Sequence, residues 1–293
     1  MFSTKRQLPQ RVAIFLLSVL AFACGKGDST PDNTIRVTGI PDENPTELAR
    51  EFEPMVKLLE AKLGVPVKYI PLTDYGAAVQ ALAAGKVDFA WLGGFTHVQA
   101  RNQAKVVPLV MRDIDRKFHS VFIVNSNRGI TDVTMLKGKK FAFGSKSSTS
   151  GHLMPRHYLL SEHKIDPDKD FDGSPVFSGA HDATVKIVES GKVAAGALNK
   201  QVWLRMVAEG KVDSSKVSVL WETPAYVDYV WTARADIDKA TRETFSKTFL
   251  GLDSANPEDK KILEHMGAKS YVLASPSDFD AIEEVAKAIG MLK

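Results

Sequence analysis

A run of four hydroxyl side chains, Ser147-Ser148-Thr149-Ser150, lies inside GSKSSTSGHLMP, residues 144–155 of the 293-residue chain. The apolar run Phe141-Ala142-Phe143 precedes it, and a helical pattern beginning near Ser150 follows it. Hydroxyls at such a strand-to-helix turn can cap the helix, act as a nucleophile, or donate to an anion. A cap needs one hydroxyl, whereas Ser148, Thr149 and Ser150 offer three in succession. A helix start also presents unpaired N–H groups and the positive end of its dipole. Gly151 lets a ligand come close to the backbone. Together these features read as a cradle for a small oxyanion that uses neither Arg nor Lys. The catalytic reading is weaker. Gly144-Ser145-Lys146-Ser147 is not a G-x-S-x-G elbow, and no GxxxxGK[ST] phosphate loop occurs in the chain. His181-Asp182 offers a base, but one His–Asp pair is unspecific, and a non-enzymatic chain is expected.

The elements that carry this turn occur twice. YIPLTDYGAAVQALAAGKVDFAWLGG (69–94) aligns with FSGAHDATVKIVESGKVAAGALNK (177–200) at an offset of 106. There Gly85-Lys86-Val87 falls on Gly191-Lys192-Val193, Leu92 on Leu198, and Tyr75 on His181. Each copy reads as a loop, an amphipathic helix, a Gly C-cap and a buried strand. The preceding segments, TIRVTGIPDENPTELAREF and GKKFAFGSKSSTSGHLMPRHYL, both read as strand, polar loop and helix. The pattern implies two α/β lobes with a cleft between them. Four loops can face that cleft: Gly39–Thr46, Thr73–Ala77, Gly144–Gly151 and Ser178–Ala183. HSVFIVNSN (119–127) and YVDYVWTAR (226–234) read as two strands crossing between the lobes, hence a two-strand hinge. Lobe 1 is then 35–118 plus 235–293, and lobe 2 is 119–234 with the hinge strands. Phe89 and Trp91 read as core, Trp203 and Trp221 as lobe 2 core, and Pro54 as a kink or break in its helix.

Residues 1–23 read as a secretory signal: Lys5, Arg6 and Arg11 precede the apolar stretch from Val12 to Ala23. Ala21-Phe22-Ala23-Cys24 resembles a bacterial lipobox, which makes Cys24, the only cysteine, a candidate for lipidation. Residues 24–34 are then a tether, and a lipid anchor is the only membrane attachment expected. Without the three leader cations the formal net charge of +3 falls to zero, which argues against nucleic acid as a partner. The histidines show no spacing that suggests a metal site, and no cofactor is implied.

AAGKVDFAWLGGFTHVQA, STSG and FSGAHDATVKIVESGKVAAGAL together resemble the periplasmic phosphate/phosphite/phosphonate-binding proteins of ABC importers, across nearly the whole mature chain. The resemblance implies a two-lobed type-2 periplasmic binding fold that closes on its ligand. It implies an exported protein, held at the outer face of a bacterial membrane, that serves a permease and its ATPase. Ser148, Thr149 and Ser150 would then hold the ligand oxygens, with Tyr75 and His181 contributing from the two repeat-related loops. Asp228, in PAYVDYVW, matches a site carboxylate near the second crossover. Phe95 stands where a cleft aromatic, often Tyr, is found, at the loss of a hydroxyl. RVTGIPDENPTELAREFEP and TPAYVDYVWTARADID look closer to a subgroup linked to selenate uptake. Phosphonate, phosphite or phosphate is therefore the expected ligand class, with selenate or selenite as the alternative. A carboxylate against an anion favours one that carries a proton. A protonated His181 would offset that preference.

Overall fold

The computed structural model describes Met1, Phe2 and residues 33–293. The signal region and Cys24 lie outside the described residues. Thr34–Lys293 forms one compact unit. Its chain order begins with β1 (Ile35–Gly39), α1 (Pro45–Leu63), β2 (Val67–Tyr69), α2 (Tyr75–Ala83), β3 (Phe89–Leu92), α3 (Gly94–Gln103) and β4 (Val106–Arg112). It continues through β5 (Ser120–Asn125), β6 (Phe141–Phe143), α4 (Met154–Ser161), β7 (Val176–Phe177), α5 (His181–Glu189), β8 (Ala195–Asn199), α6 (Lys200–Ala208) and β9 (Val217–Glu222). It ends with β10 (Val230–Arg234), α7 (Lys239–Leu250), α8 (Pro257–His265), β11 (Tyr271–Leu273) and α9 (Asp280–Ala288).

Two sheets form, ordered β11-β4-β10-β3-β1-β2 and β7-β6-β8-β5-β9. The internal repeat is visible in their wiring. β2-β1-β3 and β7-β6-β8 are both parallel triplets, and each is extended by an antiparallel strand, β10 or β5. The strands buried on both faces are continuous apolar runs, as expected where helices cover a parallel sheet: Phe89-Ala90-Trp91-Leu92 in β3 and Phe141-Ala142-Phe143 in β6.

Neither 119–127 nor 226–234 is itself a lobe-crossing strand: β5 pairs with β8 and β9 within the second sheet. β10 pairs along its length with β3 and β4 of the first sheet. The chain passes between sheets at 118–119 and again at 223–229, where Phe118 and Tyr226 form a single antiparallel bridge. Apolar Val230, Trp231 and Ala233 explain this placement, because all three are buried in the first core.

α1 is unbroken through Pro54. Pro54 faces solvent, and so does Arg50, whose carbonyl loses its helical donor, while Phe52, Met55 and Leu59 hold the buried face. Phe89 and Trp91 are core, and Trp203 belongs to the second lobe's core. Trp221 is half-buried and packs against both lobes' clusters.

Candidate functional site

The turn after β6 is not an ordinary α-helix start. Residues Thr149–Leu153 form a π-turn, with Leu153 N–H donating to Ser148 O at 2.9 Å, and the α-helix proper begins at Met154. Pro155 explains this. It has no N–H to offer the Gly151 carbonyl, which instead accepts Gly144 N–H at 2.8 Å. The wider turn carries Ser148, Thr149 and Ser150, all essentially buried. Ser148 is the N-cap, its Oγ accepting Gly151 N–H at 2.9 Å. From behind, Ser120 Oγ donates to Ser150 O at 2.7 Å and lies 2.5 Å from Tyr226 Oη. A serine hydroxyl has one proton, so Tyr226 must donate to Ser120. The turn is thus fixed to β5 and to the crossover.

The first lobe meets this turn with the start of α3. Gly93, its N-cap, has no side chain to satisfy the first N–H groups. Gly94 N–H donates to Asp228 Oδ1 at 2.9 Å, and Phe95 N–H donates to Thr149 Oγ1 at 3.0 Å. Phe95 therefore contributes its backbone, while its ring is buried in the first core. Gly93 is required by proximity: a Cβ there would lie 3.0 Å from Thr149 Oγ1 and 3.1 Å from Asp228 Oδ1.

Asp228 is 1% exposed. Burial raises its carboxyl to about 7, against the lowering effect of Gly94 N–H and of Thr149. Its Oδ2 has no hydrogen-bond partner. Tyr75 opens α2 behind the Asp74 cap, whose Oδ1 accepts Ala77 N–H at 2.8 Å. The Tyr75 ring is buried and its hydroxyl lies beside Ser148, with no partner of hydrogen-bonding geometry. Burial first, then Asp42, keep that phenol protonated. Two unsatisfied buried polar atoms on one cleft, with opposite hydrogen-bonding character, mark a place built for a third party. No described cation hydrogen-bonds there. Arg112 is committed to Asp115 and the Met266 carbonyl, and Arg205 pairs with Glu43.

His181 opens α5 against the same turn: a Cβ on Gly151 would lie 3.1 Å from its Cε1. The protonated state considered from sequence is not the one this environment supports. Burial, then Arg205, lowers the imidazole to about 3, so the ring is neutral. Nδ1 accepts Asn199 N–H at 3.3 Å, which assigns the proton to Nε2, 3.5 Å from Tyr229 Oη.

The seven non-cysteine residues singled out from sequence, Ser148, Thr149, Ser150, Tyr75, His181, Asp228 and Phe95, thus converge where the lobes meet. Sequence reasoning missed Asp42, Tyr229 and Asn199. Tyr229 donates to Asp42 Oδ2 at 2.8 Å and accepts from Asn199 Nδ2 at 3.1 Å. Burial, then Glu43, raises the Asp42 carboxyl to about 7. The repeat held a signal for Asn199, which falls on Gly93 at the 106-residue offset.

The chain resembles known proteins over most of its length. A family model described as ABC transporter, phosphonate, periplasmic substrate-binding protein matches residues 37–279. The chain is 38% identical over 271 residues to a probable ABC transporter phosphite-binding protein, PhnD1, of Prochlorococcus marinus (strain MIT 9301), covering 88% of this chain and 91% of that one. It superposes on the structure of PhnD1 in complex with methylphosphonate with a TM-score of 0.85 and 36% identity, over 88% of this chain and 99% of the other. A phosphate-import protein of Mycolicibacterium smegmatis is 29% identical over 235 residues, 74% of this chain and 73% of its own.

Proposed function

The chain belongs to the periplasmic substrate-binding family of phosphonate ABC transporters, and from that premise we propose that it captures a small, protonatable oxyanion of the phosphonate, phosphite or phosphate class. The observation that carries this reading is the pairing at the cleft of an unpartnered carboxylate oxygen, Asp228 Oδ2, with an unpartnered hydroxyl, Tyr75 Oη. Beside them stand the three hydroxyls of Ser148, Thr149 and Ser150. The proposed ligand oxygens accept from these hydroxyls and from Tyr75, while Asp228 shares one proton with the anion. His181 walls the site as a neutral ring, and Phe95 holds Thr149 in place through its N–H.

The proton decides the ligand class. Two negative charges cannot share a dry site without one. The second ionisation of phosphate-type anions lies near neutrality, at about 6 for phosphate monoesters, so such an anion can bring the proton itself. Selenate and sulfate bring none, so they meet an uncharged Asp228 only where it already holds a proton, a fraction that falls as pH rises through about 7. The names of the relatives, phosphite-binding and phosphate-import, and the methylphosphonate in the PhnD1 structure support the same class. Transfer to a permease driven by an ATPase follows from the family, with binding and no turnover as the reading for this chain. Lipidation at Cys24 is proposed from the lipobox-like sequence, to be tested by mass spectrometry of the mature N-terminus: a diacylglyceryl-modified Cys24 supports it, and a free thiol overturns it.

Thermal melting of protein truncated at Cys24, against phosphate, phosphite, methylphosphonate, sulfate, selenate and selenite, tests the ligand class. At a hundred times its dissociation constant a ligand adds about 2.7 kcal/mol. Stabilisation by a protonatable member and not by selenate or sulfate supports the proposal. Stabilisation by selenate or sulfate alone overturns the ligand class, and no stabilisation by any of them overturns the oxyanion reading.

A further inference from the structure

We propose that the loop joining β1 to α1 is a closure latch: Asp42 and Glu43 clamp the second lobe onto the first and set how long a captured oxyanion stays, without touching it. The proposal rests on the binding reading above. Its geometry does not depend on which anion is bound.

The latch reaches both helices that rim the second lobe. The Asp42 carbonyl accepts His181 N–H at 2.8 Å. That N–H is the first of α5 and has no partner within its helix. The start of α5 is therefore turned toward a first-lobe carbonyl. The Asp42 side chain works through Tyr229, which donates to Oδ2 at 2.8 Å and accepts from Asn199 at 3.1 Å. Asn199 in turn caps α6, its Oδ1 accepting from Gln201 and Val202 N–H. One residue further along, Glu43 pairs with Arg205 of α6. Two adjacent residues of the first lobe thus hold the start of α5 through a main-chain carbonyl, the start of α6 through Tyr229 and Asn199, and a side chain one turn into α6.

The loop is stiff enough to act this way. Pro41 and Pro45 bracket it and fix two φ angles. Ile40 N–H donates to Trp91 O at 3.0 Å, and Asp42 N–H to Ile40 O at 2.9 Å. Asn44 caps α1 through Thr46 and Glu47 N–H. A prearranged strap costs little entropy when the lobes meet. Its grip lies beside a cavity of about 190 Å³ lined by Asp42, Glu43, Arg205, Tyr229 and Asn199, so it can be broken without unpacking either core.

The test uses Glu43→Gln, Arg205→Gln and the charge-swapped pair Glu43→Arg with Arg205→Glu. Stopped-flow binding and displacement of methylphosphonate read the two rate constants. Small-angle scattering without any anion reads lobe separation. Each single substitution should raise the dissociation rate by about tenfold and leave the association rate within about twofold, as for a cross-interface charge pair. Each should also expand the unliganded molecule, and the swapped pair should recover most of both effects. Unchanged dissociation in the single variants, an equal loss in association, or no recovery in the swapped pair would overturn the latch. If the unmodified protein binds no oxyanion, the binding reading fails, and the scattering still decides the latch: unchanged dimensions in both single variants reject it.

Discussion

Tyr75 and His181 hold the same place in the two halves of the repeat: each is the first residue of a helix that follows a cleft loop. Both are buried, at 1% and 0% exposed. Their polar groups are treated in opposite ways. Tyr75 Oη has no partner, whereas His181 is engaged at its backbone N–H by Asp42, at Nδ1 by Asn199, and faces Tyr229 with Nε2. One helix start keeps an unspent donor at the cleft, and the other is consumed in holding the lobes together. A duplicated framework can therefore divide its work. At this one pair of equivalent positions, the Tyr75 helix start faces the ligand site and the His181 helix start takes part in holding the lobes together.

That division can be tested from its most costly element downward. Asp228 lies on the first-lobe side, and burial raises its carboxyl from 3.8 to about 7. The folded state then holds a proton that the unfolded chain has released, so this group's contribution to stability falls as pH rises from about 4 to about 7 and is flat above. His97, His152 and His181 are lowered by burial and slope the other way below their unfolded range. The difference between the unmodified protein and Asp228→Asn isolates the carboxylate. Chemical denaturation without an anion should show the Asn variant gaining across that window, with an upper bound on the order of 4 kcal/mol. A pH-independent difference would mean that Asp228 is not a strained carboxylate.

Thr149→Val removes the hydroxyl that joins the lobes at Phe95 N–H and adjoins Asp228. Calorimetry should show methylphosphonate affinity falling by about a hundredfold, the scale of a lost hydrogen bond to a charged group together with an orphaned N–H. Tyr75→Phe should lower affinity by about tenfold and leave the unliganded melting temperature unchanged or higher, since the hydroxyl it removes has no partner. His181→Gln inverts that pattern. It should lower the melting temperature by several degrees through the unsatisfied Asn199 N–H, and change affinity by less than about threefold once closure is saturated. If Tyr75→Phe is the destabilising variant and His181→Gln the affinity variant, the division of labour between the repeats is reversed.

The hydroxyl run, the repeat and the strand-loop-helix order were legible because each is local: hydroxyl density, Gly C-caps and apolar runs sit in consecutive residues. The π-turn was not, although Pro155 contains its cause, because the vacated Gly151 carbonyl is taken by Gly144, seven residues earlier. Nor was β10, whose segment reads equally as a crossing strand until Trp231 finds the first core. Continuity of α1 through Pro54 depended on which face the proline occupies. The neutral state of His181 follows from burial, a property of the folded lobes. Asp42 escaped notice for a similar reason. In PDENP it looks like a solvated loop residue, and only the approach of the second lobe brings it to His181 and, through Tyr229, to Asn199.

Asp228 is proposed to share a proton with the captured anion. Isothermal titration of methylphosphonate and selenate near neutral pH, in the unmodified protein and in Asp228→Asn, tests it most directly. A preference for methylphosphonate is expected in the unmodified protein, and it should shrink or invert in the Asn variant, where selenate meets an uncharged amide whatever the pH. An affinity ratio that is the same in both proteins would contradict it.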